Sequence, residues 1–205
     1  MPLMVRPPQL FRRLYNGAVW RMDRNEKKIY LTFDDGPVPG VTTAALSVLK
    51  EHNIRATFFC VGENVQKHPE IFQQIIADGH SVGNHTMHHV DGWKLSWRDY
   101  MRDVKECSAV FSSQLFRPPY GHMRRSHFAT LSRRCKVIMW DVLTYDFDKS
   151  YAPEHCLELA LMNSRPGSIV VFHDSEKAKD RMLYALPRYI EVMKQRGYTF
   201  EALKF

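Results

Sequence analysis

The chain has 205 residues, 44% of them hydrophobic, 12% aromatic and 25% charged, which fits one folded globular domain and excludes a disordered or fibrous chain. Its 29 Lys and Arg against 22 Asp and Glu give a net charge of +7, and no run approaches the ~18 uncharged apolar residues of a membrane-crossing helix. The charge is uneven: residues 1–28 hold seven basic and two acidic side chains, so only +2 remains for residues 29–205.

From the N-terminus, Arg6, Pro7 and Pro8 interrupt MPLMVRPPQL, so no cleavable secretory leader is expected and the protein reads as cytoplasmic. Leu10, Phe11, Leu14, Tyr15, Ala18 and Val19 form a helical stripe beside Arg12 and Arg13, which would allow peripheral contact with an anionic membrane. The Asn16-Gly17 turn signal favours a different outcome, in which residues 18–22 pair with residues 28–33 as a hairpin closing one end of the domain. A basic extension over residues 1–28, packed on a domain over residues 29–205, is the resulting division.

From residue 28, short apolar runs rich in β-branched and aromatic residues alternate with longer stretches of helical period. Strands are expected at 28–33, 56–61, 81–84, 137–142 and 168–172, and helices at 42–52, 64–78, 97–111, 153–162 and 180–196, with Gly79 and Gly197 as stop signals. That alternation implies right-handed βαβ crossovers and a mainly parallel α/β sheet, open or closed into a barrel. Functional groups then collect at the carboxyl ends of the strands.

The first strand ends in Asp34-Asp35-Gly36-Pro37. Adjacent side chains of an extended segment point in opposite directions, so one carboxylate can hold a cation while the other works as a base. The third strand ends in His85-Thr86-Met87-His88-His89, where an i, i+4 pair on a helical turn would bring His85 and His89 to one face. With one carboxylate these make a three-ligand site with open positions, as catalytic zinc sites have, and His88 remains an alternative to His89. In Phe116-Arg117-Pro118-Pro119-Tyr120-Gly121 the prolines hold Arg117 extended, aimed at Asp34 or Asp35 for a bidentate grip. Asp146 and His173 fall at two further strand ends, where a carboxylate facing the imidazole would raise its pKa and suit it as a general acid. Cys60, Cys107, Cys135 and Cys156 are widely spaced and are expected to be buried thiols.

Thr32-Phe33-Asp34-Asp35-Gly36-Pro37, His85-Thr86-x-x-His89, Arg117-Pro118-Pro119-Tyr120-Gly121, Asp146-Phe147 and Val171-Phe172-His173, in this order, resemble the polysaccharide deacetylase family, the NodB homology domain or carbohydrate esterase family 4. The resemblance implies a distorted (β/α) barrel of the NodB-homology type and metal-dependent removal of acetyl groups from an N-acetylated glycan substrate. It implies Asp35, His85 and His89 as ligands of a divalent metal, zinc first, with cobalt, nickel or manganese as alternatives. Asp34 would be the base, Arg117 its orienting partner, Tyr120 the source of an oxyanion-binding N–H, and His173 the acid with Asp146 behind it. Phe147 stands where the family usually has Trp, and Val171 where it usually has Leu, which bears on the shape of the acetyl pocket. A phosphatase of the haloacid-dehalogenase type gives the histidines no role, and nucleic-acid binding has only net charge behind it. A related hydrolase of non-sugar amides, or an inactive carbohydrate-binding member of the fold, remains as an alternative.

Overall fold

The computed structural model describes residues 5–205. Residues 1–4 of the basic extension lie outside it. The elements in chain order are α1 (Gln9–Leu14), β1 (Lys28–Asp34), α2 (Thr42–Glu51), β2 (Thr57–Cys60), α3 (Gly62–Lys67), α4 (Pro69–Ala77), β3 (Ser81–Asn84), α5 (Trp97–Val110) and β4 (Leu115–Phe116). A single 3₁₀ turn, Pro119–Gly121, leads to α6 (Arg125–Leu131), β5 (Lys136–Val137), β6 (Val142–Leu143), α7 (Pro153–Asn163), β7 (Ser168–His173), α8 (Lys179–Gln195) and β8 (Thr199–Phe200).

All ladders between these strands are parallel, in the spatial order β5-β4-β3-β2-β1-β7-β6, with β8 beside the start of β1. The two end strands, β5 and β6, are consecutive in the chain, so residues 138–141 cross the seam, with backbone bonds to β4 from Ile138 N to Phe116 O, to β7 from Asp141 N to Ile169 O, and to the N-terminal segment from Met139 N to Val19 O. The result is the distorted, incompletely closed (β/α) barrel that the resemblance implied. The strand expected over 137–142 is split into two by this crossing. The helix expected over 64–78 breaks at His68, because Pro69 has no N–H to continue it and instead starts α4.

Side-chain alternation along β1 sets up both the core and the site. Ile29, Leu31 and Phe33 pack outward with Leu46, Leu49 and Leu186 of the flanking helices. Tyr30 faces the barrel interior with Phe59, Ile138, Ile169 and Leu203. Thr32 and Asp34 follow on that inner face, so the barrel axis ends in a carboxylate. In register, Asp34 pairs with Phe59 on one side and His173 on the other, which puts three strand ends together.

The hairpin expected between residues 18–22 and 28–33 does not form, because β1 is already paired on both edges. Instead Val19 bridges Ile138 and Arg21 bridges Ser168, so the N-terminal segment lies across the seam. Tyr15 and Trp20 are buried in a cluster with Phe116, Leu131 and Met139, and α1 leaves Leu10 exposed. All four cysteines are free thiols; Cys60, Cys107 and Cys156 are buried, while Cys135 is only partly so.

Candidate active site

Arg117 is fully buried in the barrel mouth, with its guanidinium 4.1 Å from the Phe59 ring centroid. Its Nη1 donates to Asp34 Oδ1 at 2.6 Å and to Thr32 Oγ1 at 2.7 Å. The bidentate grip expected from the sequence is absent, because Nε and Nη2 donate to the carbonyls of Ile138 and Met139 at 3.3 and 2.9 Å. One arginine thus ties Asp34 to the crossing segment, and the second oxygen of Asp34 is left toward the pocket.

The histidine segment is not a helical turn. Thr86 and His89 have φ of 66° and 54°, left-handed values that few residues other than glycine adopt, and surrounding bonds impose them. Asn84 Oδ1 accepts Thr86 N–H at 2.8 Å, and Asp103 Oδ1 on α5 accepts the N–H groups of Met87 and His88 at 2.7 and 3.1 Å. The loop turns His85 and His89 toward Asp35. His88 turns away to Asp103 Oδ2 at 2.7 Å, so of the two alternatives only His89 converges with His85.

His85 Nδ1 donates to Arg117 O at 2.8 Å, which leaves Nε2 without its proton, 3.9 Å from Asp35 Oδ1. His89 Nε2 lies 3.1 Å from the same oxygen, and its Nδ1 is 3.1 Å from the Tyr120 hydroxyl. Ligand atoms of Asp35, His85 and His89 all lie within 4.8 Å of one another. Burial lowers the pKa of His85 to about 4, which keeps the imidazole in its ligand form. Burial alone would raise the pKa of Asp35, but its bond with His89 and the charges of His173, His89 and Lys177 hold it well below the ordinary value. Two imidazoles and one ionised carboxylate in this spacing fit a divalent cation with coordination positions left over. His88, Asp103 and Glu106 form a second such grouping, with His88 and Glu106 exposed, and its hydrogen bonds account for it as the brace of the histidine loop.

Across the pocket, His173 Nδ1 meets Asp146 Oδ1 at 2.7 Å, and Asp146 Oδ2 accepts the His173 N–H at 2.8 Å. Burial opposes charging of His173, yet the buried Asp146 beside it outweighs that and raises its pKa to about 9. Phe147 packs edge-on against this imidazole with ring centroids 4.9 Å apart. Asp34, Asp35, His85, His89, Tyr120 and His173 line one pocket of about 330 Å³ with Phe147, Val171 and Lys177. Tyr120 stands at its rim with φ 60° and is 58% exposed.

Two participants were not read from the sequence. Lys177 Nζ lies 3.3 Å from Asp35 Oδ2, and a lysine ahead of a helix carries no motif that would flag it. Asp174 accepts Gly36 N–H at 3.0 Å and the Thr42 hydroxyl at 2.6 Å, bracing the Asp34–Pro37 turn from behind. A Cβ on Gly36 would come within 1.9 Å of Asp174, so the turn needs glycine there. Burial, with Asp35 adding to it against the Thr42 bond, raises the pKa of Asp174 to about 7. Its place directly after His173 was the available signal.

Comparison with known proteins gives the family and the fold. A model of the polysaccharide deacetylase family matches residues 21–136. A peptidoglycan-N-acetylglucosamine deacetylase of Bacillus cereus is 30% identical over 192 residues, covering 89% of each chain. A chitooligosaccharide deacetylase of Rhizobium leguminosarum bv. trifolii is 32% identical over 197 residues, covering 87% of this chain and 91% of that one. Among solved structures, a peptidoglycan N-acetylglucosamine deacetylase superposes with a TM-score of 0.87 at 29% identity, over 91% of both chains. A pseudoenzyme of carbohydrate esterase family 4 from Bacillus anthracis gives 0.78 at 26% identity, over 91% of this chain and 67% of that one. The match of the family model and the extent of these relatives together make the chain a member of the polysaccharide deacetylase family.

Proposed function

We propose that this protein hydrolyses the acetamido group of N-acetylated amino sugars in a glycan such as peptidoglycan or chitooligosaccharide, releasing acetate. The observation that carries this reading is the sharing of one pocket by the Asp35, His85 and His89 donor set, the arginine-held Asp34 and the Asp146-paired His173. Asp35, His85 and His89 would hold a divalent cation, zinc in the first instance. When bound, such a cation supplies Lewis-acid polarisation of the acetyl carbonyl and lowers the pKa of water in the pocket.

Asp34 takes the proton of the attacking water, its carboxylate fixed by Arg117 through one oxygen so that the other faces the substrate. His173 stands on the opposite side as an imidazolium and gives its proton to the departing amine, with Asp146 stabilising the charged form. The Tyr120 N–H donates to the oxyanion. Acid and base are kept apart by environment, which the two proton transfers require. Phe147 and Val171 bound the acetyl methyl with apolar surface.

Pseudoenzymes share this fold, but the complete acid, base and donor set here favours a working enzyme. The test is metal content of the purified protein together with acetate release from N-acetylglucosamine oligomers. Divalent metal and acetate are expected; a metal-free protein inert toward a broad panel of acetylated sugars would sink the reading.

A further inference from the structure

A second cavity, of about 600 Å³ against about 330 Å³ for the catalytic pocket, opens on the outer side of the barrel and shares no lining residue with that pocket. Its origin is a mismatch of lengths. Helix α5 runs for 14 residues, whereas α6 has 7 and β4 only 2, so the two helices leave a groove above β4. Val104, Leu115, Phe116 and Leu131 form its floor and are all buried.

The walls are cationic. Arg98, Arg102 and Lys105 stand at i, i+4 and i+7 along α5, about 10 Å of one helical stripe, and Arg134 lines the groove from the turn after α6. No Asp or Glu lines it, and of these four side chains only Arg102 has an ion pair, with Asp99 at 2.7 Å. Like charges one turn apart oppose helix formation, so placing Arg102 after Arg98 is a cost to the free protein. The concentration of charge is local. Residues 124–136 hold Arg124, Arg125, Arg133, Arg134 and Lys136 with no acidic residue, a charge of +5, although residues 29–205 together sum to only +2. Trp97 also lines the groove and is 44% exposed, which sets an apolar ring beside the charges.

We propose that this groove is a binding site for a phosphorylated amphiphile, a phosphate monoester joined to an aliphatic or aromatic body small enough to enter it. Three of the four cations are arginines, whose planar fork of N–H donors matches phosphate oxygens, and several cations around one cavity suit a dianion better than a single carboxylate. The floor supplies the apolar surface that the body covers, and the volume falls within the ~300–1,000 Å³ usual for small-molecule sites. A bilayer surface fits less well, because the apolar side chains lie buried at the bottom of a concave groove. The assignment does not depend on what the catalytic pocket hydrolyses.

Isothermal titration calorimetry of the full chain with n-octyl phosphate, inorganic phosphate, n-octanol and phosphatidylglycerol vesicles tests the site, with the double variant Arg98→Ala/Arg134→Ala beside the wild type. Octyl phosphate should bind about tenfold tighter than inorganic phosphate or octanol, and its binding should weaken as salt is raised. The double variant should lose about tenfold or more of that affinity, while its thermal unfolding midpoint and metal content match the wild type. Equal octyl phosphate binding by wild type and variant overturns the site, as does octanol binding as tightly as octyl phosphate. Failure of octyl phosphate to bind at millimolar concentration also overturns it, and association with the vesicles alone replaces it with a membrane-facing surface.

Discussion

Asp34 and Asp35 are chain neighbours with different partners, and their substitutions should separate. Asp34→Asn keeps a hydrogen-bond acceptor for Arg117 but loses the base, so turnover should fall about 10²-fold or more while metal content stays full. His89→Ala should do the reverse, removing one of three donors and depressing metal binding at equilibrium dialysis. Full turnover in Asp34→Asn would remove that residue from the base role. His173 sets the alkaline limb: it must carry its proton, and with a pKa raised to about 9 its activity is lost as pH climbs through that value. Asp146→Asn withdraws the charge that raises it, so the limb in kcat should move down toward the ordinary histidine value of 6.5 and kcat should fall. An unmoved limb would show that another group titrates there.

At the level of elements, the site depends on how a helix holds a loop. Asp103 on α5 fixes the amides of Met87 and His88, in the stretch between the two inward histidines. Asp103→Ala should weaken metal affinity about 10–100-fold by letting His85 and His89 lose their spacing, and Asp103→Asn, which keeps one acceptor oxygen, should recover part of it. Chelator competition measures both. The same loop marks where sequence reading reached its limit. His85 and His89 were identifiable as a pair, but through a helical spacing that is not there; two left-handed residues and bonds from Asn84 and Asp103 bring them together. Strands β1, β2 and β7, of four to seven residues, were legible because successive apolar or aromatic side chains define them. Two-residue strands such as Leu115–Phe116 and Thr199–Phe200 carry no period to detect and exist only because a neighbour is in register. Lys177 was invisible for a related reason, since its partner Asp35 is 142 positions earlier in the chain and no local pattern links the two.

Across the whole molecule, part of the basic balance of the N-terminal segment serves the barrel seam. Arg6 donates to Asn163 O, Arg12 reaches Asp141 Oδ1 at 2.9 Å, and Arg21 donates to Pro166 O at 2.7 Å, so three of the seven basic residues of the first 28 turn inward. Asp141 is the centre of this closure: fully buried, it accepts from Arg12, from Arg165 twice at 2.9 and 2.7 Å, and from Ser168 at 2.9 Å. It sits on the segment that crosses between the end strands, and its partners come from the N-terminal segment, from Arg165 in the turn before β7 and from the first residue of β7. The ion pairs and the Ser168 bond therefore do at the seam what ladder hydrogen bonds do elsewhere in the sheet. Although burial by itself would raise the pKa of Asp141, the bonds from Arg165, Arg12 and Ser168 depress it below the ordinary value of 3.8. A depressed carboxylate contributes stability that is present above about pH 3.8 and lost as pH falls toward its folded-state value. Asp141→Asn keeps the shape but removes the charge, so it should cost about 1–3 kcal/mol at neutral pH, both arginines being partly exposed and able to hydrate. It should also flatten the acid limb, because the variant has no proton to gain there. Urea unfolding at pH 7 and at pH 3, for wild type and variant, checks both statements. A gap between the two proteins that is as wide at pH 3 as at pH 7 would mean that the seam is held by packing of Tyr15 and Trp20 and not by the charge of Asp141.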